Sequence, residues 1–217
     1  MSESWYDRTL LPHALDCACG LGLISRQRRK VVPTASGDVL EIGIGTGLNM
    51  GFYDKSKVKR LVGIDPATQM NRLAQKRSER AGLAVDLVTA SAEELPFPDA
   101  SFDSLVCTYT LCSIPDPLQA LREMKRVLRP SGKLVFAEHG LAPDAAVRKW
   151  QFRLEPYWAK IAGGCHLTRD IPSLIEDGGF QIKFDAAYVA WPKSLAYNFW
   201  GDAIPLGERH NDSPRGV

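Results

Sequence analysis

Four β-type residues, Val39-Leu40-Glu41-Ile42, run without a break into Gly43-Ile44-Gly45-Thr46-Gly47-Leu48-Asn49. No other feature of the chain constrains its fold as much. Glycine is needed where the backbone takes a positive φ, or where a ligand meets the backbone with no Cβ in the way. In open α/β sheets that place lies beyond the carboxyl end of a strand, at the point where strand order reverses. The spacing is GxGxG, whereas a dinucleotide site carries GxGxxG. Gly47 comes one residue early, and Leu48 stands where the third glycine would be.

The chain around this loop alternates strand-like and helical runs, the mark of βαβ units and a mostly parallel sheet. Residues 39–42, 60–64, 85–89, 102–107 and 133–137 read as strands, and the glycine loop should lead into a helix. Pro66 suits a first helical turn, and Met70, Leu73, Ala74, Arg77 and Ala81 keep helical spacing until Gly82 ends the run. Asp116-Pro117 opens a second helix with Leu118, Leu121, Met124 and Leu128 as its buried stripe, closed by Pro130 and Gly132. Residues before 38 read as helical, 144–179 as mainly helical, and 180–188 and 195–200 as final strands. The expectation is one domain: a helical cap over 1–37, a ligand-binding core over 38–140, and a lid with C-terminal strands over 141–217.

Composition removes several function classes. A net charge of +2 over 217 residues lacks the basic excess of a dedicated nucleic-acid binder. The one basic cluster, Arg26, Arg28, Arg29 and Lys30, reads as the solvated face of a helix. Five cysteines with no CxxC pair argue against a disulfide framework and against a structural zinc site, so no metal is expected. The first residues do not form a signal peptide, and no apolar run is long enough to cross a bilayer. A soluble cytoplasmic protein is expected, with peripheral membrane contact and oligomeric state left open.

The acidic residues choose among ligands. Asp65, after the second strand, is placed to accept hydrogen bonds from a ribose diol. Glu41 precedes the first glycine by two residues, where it would repel a pyrophosphate and favour a cationic ligand. S-adenosylmethionine carries both an ammonium and a sulfonium. A nicotinamide oxidoreductase is the rival reading of the loop, and the missing third glycine disfavours it.

With these motifs in place, the chain resembles the class I S-adenosylmethionine-dependent methyltransferases of the type 11 domain. Glu41 to Gly47 resembles their first motif, Gly63-Ile64-Asp65-Pro66 the second, and Ser91-Ala92-Glu93-Glu94-Leu95-Pro96-Phe97 the third. Phe102-Asp103-Ser104-Leu105-Val106 through Leu111-Cys112-Ser113-Ile114 resembles the fourth, and residues 126–133 the turn into the fifth strand. The resemblance implies a doubly wound, mostly parallel sheet of seven strands with the last antiparallel. It also implies Gly43, Gly45 and Gly47 under the methionine part, Asp65 on the ribose, Met70 and Ala92 around the adenine, and Glu93 near the adenine amino group. Asn49, Pro66 and Thr108 complete that cofactor set with Glu41, and Tyr6 matches an N-terminal aromatic that folds over the cofactor. A narrower resemblance, carried by Thr110-Leu111-Cys112-Ser113, Phe136-Ala137-Glu138-His139 and Gly164-Cys165-His166-Leu167-Thr168-Arg169, is to the methyltransferase-like seven group of thiol S-methyltransferases. Bacterial phosphatidylethanolamine N-methyltransferases share the glycine loop.

The acceptor is less constrained than the donor. His139 and Glu138, at the end of the fifth strand, are the candidates for orienting or deprotonating it, with Cys112 and His166 as substrate contacts. A thiol already supplies some thiolate near neutral pH, whereas an ammonium must first lose its proton to a base. The expected acceptor is a small thiol, with a phosphatidylethanolamine or other amine as the alternative. A cofactor-binding module without catalysis is the alternative of another class. The aromatics Trp150, Tyr157, Trp158 and Trp191 are expected in the core, or lining an acceptor pocket.

Overall fold

The computed structural model describes residues 22–207. Its strands are β1 (Gly37–Ile42), β2 (Val58–Ile64), β3 (Asp86–Val88), β4 (Phe102–Thr108), β5 (Leu128–His139), β6 (Phe180–Tyr188) and β7 (Tyr197–Pro205). They form one sheet in the order β3-β2-β1-β4-β5-β7-β6. Strands β1 to β5 pair in parallel, and β7 runs antiparallel to both β5 and β6. This is the doubly wound α/β sheet expected from the sequence, with its last strand reversed.

The topology positions the site. The chain leaves β1 for β2 and β3 on one side, then returns to β4 on the other, so strand order reverses between β1 and β4. Ile42 pairs with Cys107, and Thr108 pairs with Ala137. The carboxyl ends of β1, β4 and β5 therefore stand side by side. That edge carries Gly43, the loop after Thr108, and His139.

Helices α1 (Gly22–Val31), α2 (Asn71–Ala81), α3 (Pro117–Val127), α4 (Ala145–Ile161) and α5 (Ile171–Asp177) complete the described chain. Alternation along the strands sorts the core into two layers. Leu40, Ile42, Leu105 and Phe136 face one way and pack with α3 and α5 through Leu121, Met124, Ile171 and Ile175. Val39, Val106, Val135 and Ala137 face the other way, against Val31, Met50 and Tyr53. Among the described residues, no helix is long and apolar enough to cross a membrane.

Several boundaries follow the sequence reading. Gly82 ends α2 in the left-handed conformation, and the Asp116 side chain caps α3 by accepting from the Gln119 amide at 3.0 Å. Others differ. The buried stripe of α3 is Ala120, Leu121, Met124 and Val127, and Leu128, Pro130 and Gly132 belong to β5. The helix stops early because the amides of Ala100 and Ser101 donate to the carbonyls of Arg126 and Val127. Strand β7 starts at Tyr197, because Leu195 closes a 3-10 turn.

The glycine loop is also not followed by a helix. Residues 45–52 form successive tight turns, with bonds from Gly47 to Ile44, Met50 to Gly47 and Phe52 to Asn49. Gly47 at positive φ, with Gly51 soon after, weakens a helix here.

Candidate cofactor and acceptor site

The three loop glycines have positive φ of 66°, 52° and 80°, and they serve different ends. A Cβ on Gly43 would collide with the Thr110 side chain, and one on Gly47 would lie 2.9 Å from the backbone of Ala74. Those two glycines permit close packing. A Cβ on Gly45 would meet Met70 Sδ at 3.6 Å, Asp65 Oδ2 at 3.9 Å and the Gly43 carbonyl at 4.0 Å, which are ordinary contacts. Gly45 thus presents open backbone. Asp65 steadies it, accepting from the Gly45 amide at 2.9 Å through one oxygen and from the Ala67 amide at 2.8 Å through the other. Burial pushes the Asp65 carboxyl above its usual range.

Behind the loop lies a buried polar cluster. Glu41, only 2% exposed, accepts from the Tyr53 hydroxyl at 2.6 Å and from the Asn49 amide at 3.0 Å. The same Asn49 amide donates to Thr108 Oγ1 at 3.0 Å. Desolvation drives the Glu41 pKa up to about 7 against the lowering effect of these bonds and of Arg28.

The sequence reading missed one member of this cluster. Arg28 does not lie on a solvated face: it is buried in α1, donating to Asn49 Oδ1 at 2.9 Å and to Thr108 Oγ1. Its guanidinium stacks 4.9 Å from the centroid of the Tyr109 ring. The only advance signal was position: within the basic run, Arg28 falls three residues before the buried Val31. Arg28 Nε is buried without a hydrogen-bond partner among the described residues. A buried orphan donor beside a buried carboxylate and an open glycine fits the carboxylate and ammonium of an amino-acid ligand.

The remaining predicted cofactor residues are spread along the same edge. Met70 ends the 3-10 turn before α2 and approaches Gly45, while Pro66 is exposed. Ala92 packs in the core. The Glu93 carboxylate accepts from the Ser91 hydroxyl and from the Asp116 amide at 3.2 Å. Tyr6 lies outside the described residues.

Next to the loop, the ends of β4 and β5 form a second cluster. Glu138 is fully buried and accepts from the backbone amides of Thr110 at 2.8 Å, Leu111 at 3.0 Å and Cys112 at 3.3 Å. Its carboxylate is therefore occupied in shaping the loop after β4. Burial raises its pKa, as it does that of Asp65. His139 has its Nε2 3.4 Å from Cys165 Sγ, which in turn lies 3.2 Å from Cys112 Sγ. His166 points elsewhere, pairing with Glu155 at 2.6 Å, while Glu155 also accepts from the Leu167 amide. Arg169, whose role sequence left open, donates to the carbonyls of Leu111 and Ile114.

Three of the four aromatics depart from the expectation of core positions. Trp150, Tyr157 and Trp191 are 56%, 71% and 87% exposed; α4 turns Gln151 inward and leaves Trp150 and Tyr157 outside, and Trp150 and Trp191 line a depression beside that helix. Trp158 is half-buried. Two shallow surface depressions, one between α1 and β6–β7 and one beside α4, lie away from the glycine loop.

The architecture recurs widely. The [4+2]-cyclase SpnF superposes with a TM-score of 0.66 at 18% identity, covering 85% of this chain and 80% of its own. Fold alone therefore does not name a reaction. Sequence is more specific: the family described as methyltransferase domain matches residues 40–136. The chain is 37% identical to thiol S-methyltransferase TMT1B of Rattus norvegicus over 70% of its length and 65% of the relative's. It is 35% identical to thiol S-methyltransferase TMT1A of Homo sapiens, over 79% of this chain and 71% of that one. Phosphatidylethanolamine N-methyltransferase of Cereibacter sphaeroides matches 57% of the chain at 36% identity, over 63% of its own length. The match spans just under two thirds of the length of the TMT1B relatives. The doubly wound sheet with its glycine loop after β1, together with these matches, makes the chain a member of the class I S-adenosylmethionine-dependent methyltransferases.

Proposed function

We propose that the protein methylates the sulfur of a small thiol by direct in-line transfer from S-adenosylmethionine. When bound, that donor supplies a methyl group already activated on a sulfonium. Glu41 would face the donor's ammonium and Arg28 its carboxylate, which gives the orphan Nε a partner. Asp65 retains lone pairs for ribose hydroxyls while it holds Gly45 in place. Met70 and Ala92 would flank the adenine, with Glu93 toward its amino group. Positioning then supplies most of the catalysis, by setting the acceptor atom about 3 Å from the methyl carbon.

The observation that carries the choice of a thiol is the state of Glu138. Its carboxylate accepts from three amides of the loop after β4 and from the Cys107 thiol at 3.6 Å, so its lone pairs are committed within the protein and it acts as a positioning residue. An ammonium acceptor requires a base, whereas a thiol needs less help. Among the residues predicted for the acceptor, Cys112 and His139 meet at one point, while His166 is held aside by Glu155. The thiol S-methyltransferases among the relatives support the same reading.

An amine or lipid acceptor is the second reading, favoured by the phosphatidylethanolamine N-methyltransferase relative. Release of S-adenosylhomocysteine across alkyl thiols, amines, phenols and phosphatidylethanolamine vesicles decides between them. Turnover with thiols alone is expected. Turnover confined to the vesicles would replace the thiol with a lipid amine.

A further inference from the structure

We propose that Cys112, His139 and Cys165 bind one zinc ion and leave a fourth coordination position for the acceptor thiol. The metal site rests on the three side chains alone. The use of its open position rests on the thiol reading above.

The residues come from three parts of the chain. Cys112 lies in the loop after β4, His139 is the last residue of β5, and Cys165 follows α4. One ligand atom from each lies within 4.8 Å of the other two. Two thiolates and an imidazole form a soft donor set that suits zinc, and three protein ligands are the usual number where one position must stay open. Zinc bonds of about 2.3 Å to sulfur place two tetrahedral thiolates about 3.8 Å apart. The sulfurs of Cys112 and Cys165 are now 3.2 Å apart, so the ion would part them slightly.

The surroundings hold these ligands in place, as supporting groups do around metal sites. Glu138 binds the amides of residues 110–112 from one side, and Arg169 binds the carbonyls of Leu111 and Ile114 from the other. The His166 amide donates to the Cys112 carbonyl at 3.0 Å, tying the Cys165 segment directly to the Cys112 loop. Gly163 and Gly164, both at positive φ, turn the chain back after α4 to make that contact. Cys112 and His139 are buried and Cys165 is partly exposed, so a ligand would enter on the Cys165 side.

The cluster is also linked to the glycine loop. The Thr110 side chain packs against Gly43 and donates to its carbonyl at 3.4 Å, and Thr110 is two residues from Cys112. An acceptor thiol bound here would lose its proton to solvent as its sulfur joins the metal. A sulfur lone pair would then form the bond to the methyl carbon. The methyl–sulfonium bond would break with its electron pair on the departing sulfur, giving S-adenosylhomocysteine and a neutral thioether that ligates zinc weakly.

The test is metal content of the full chain after incubation with zinc sulfate and desalting, beside spectra of the cobalt(II)-substituted protein. About one zinc per chain is expected, falling at least fivefold in Cys165→Ser and in His139→Ala, with melting curves showing that the variants fold. Cobalt should give tetrahedral visible bands and a sulfur-to-cobalt charge-transfer band that grows when an alkyl thiol is added. Less than a tenth of an equivalent of zinc, or a Cys112–Cys165 disulfide in freshly reduced and re-purified protein, would overturn the site. If thiol turnover persists after chelation has removed the zinc, the acceptor role of the site falls and the thiol reading stands. If metal binds but neither turnover nor the cobalt spectrum responds to thiols, the site stands and its acceptor role falls with the thiol reading.

Discussion

Two buried carboxylates, Glu41 near the end of β1 and Glu138 near the end of β5, stand two strands apart on the same edge and are held by different kinds of partner. Glu41 is satisfied by side chains, those of Tyr53 and Asn49, which can rearrange when a ligand arrives. Glu138 accepts from the Cys107 thiol but is held mainly by three consecutive backbone amides, which cannot be withdrawn without unmaking the loop they belong to. Burial alone thus does not distinguish a ligand contact from a strut. The identity of the partners does.

The largest expected effect breaks the strut. Glu138→Ala orphans the buried amides of Leu111 and Cys112 at roughly 1–3 kcal/mol each, and the part-buried amide of Thr110, so a stability loss of several kcal/mol is expected in chemical denaturation. A loss under 1 kcal/mol would show that the loop holds itself. Glu138→Gln keeps one acceptor oxygen and should fall between.

Gly45→Ala tests the ligand side. Space for the new methyl exists, so the main folding cost is the positive φ, about 1 kcal/mol. Affinity for S-adenosylhomocysteine should nevertheless drop at least a hundredfold by calorimetry, because the methyl stands where the ligand meets backbone. Unchanged affinity would remove Gly45 from the site. Gly43→Ala should show the reverse pattern, a large stability loss from collision with Thr110.

The ligand-free protein should also become less stable with rising pH because of Glu41. Its folded pKa of about 7 exceeds the ordinary value of 4.5, so between those values the folded state holds more proton than the unfolded state. Stability from this group is present below pH 4.5 and lost as pH rises through 7, by on the order of 3 kcal/mol. Cofactor affinity should move oppositely, strengthening through pH 7 as Glu41 ionises toward the ligand's ammonium. Glu41→Gln should flatten both profiles, and profiles that stay steep would assign them to another group.

A smaller change, about tenfold in cofactor affinity, is expected for Arg28→Met, which removes a charge-assisted bond worth about 1.5–3 kcal/mol but keeps the packed stem. No change would leave Arg28 as a support for Asn49 and Thr108 alone.

What the sequence by itself determined is local. The strand followed by GxGxG, the acidic residue after β2, the Asp116 cap and the alternation of periods each involve residues close in the chain, whose backbone needs are written in their types. From them the parallel core of the sheet was legible, while the reversed last strand came from the family resemblance those motifs carry. What the tertiary structure decided is which distant residues share a space. Arg28 reads as solvated among basic neighbours, yet the packing of α1 drives it into the cluster with Asn49 and Thr108. Cys112, His139 and Cys165 carry no recognisable metal spacing, so the sequence led to the expectation of no metal. Parallel pairing of β4 with β5 sets the first two side by side, and the turn after α4 delivers the third. Spacing along a chain records only what one helical turn, strand or loop can bring together. Contacts made across strand ends depend on sheet order, and that is fixed by burial of the whole core.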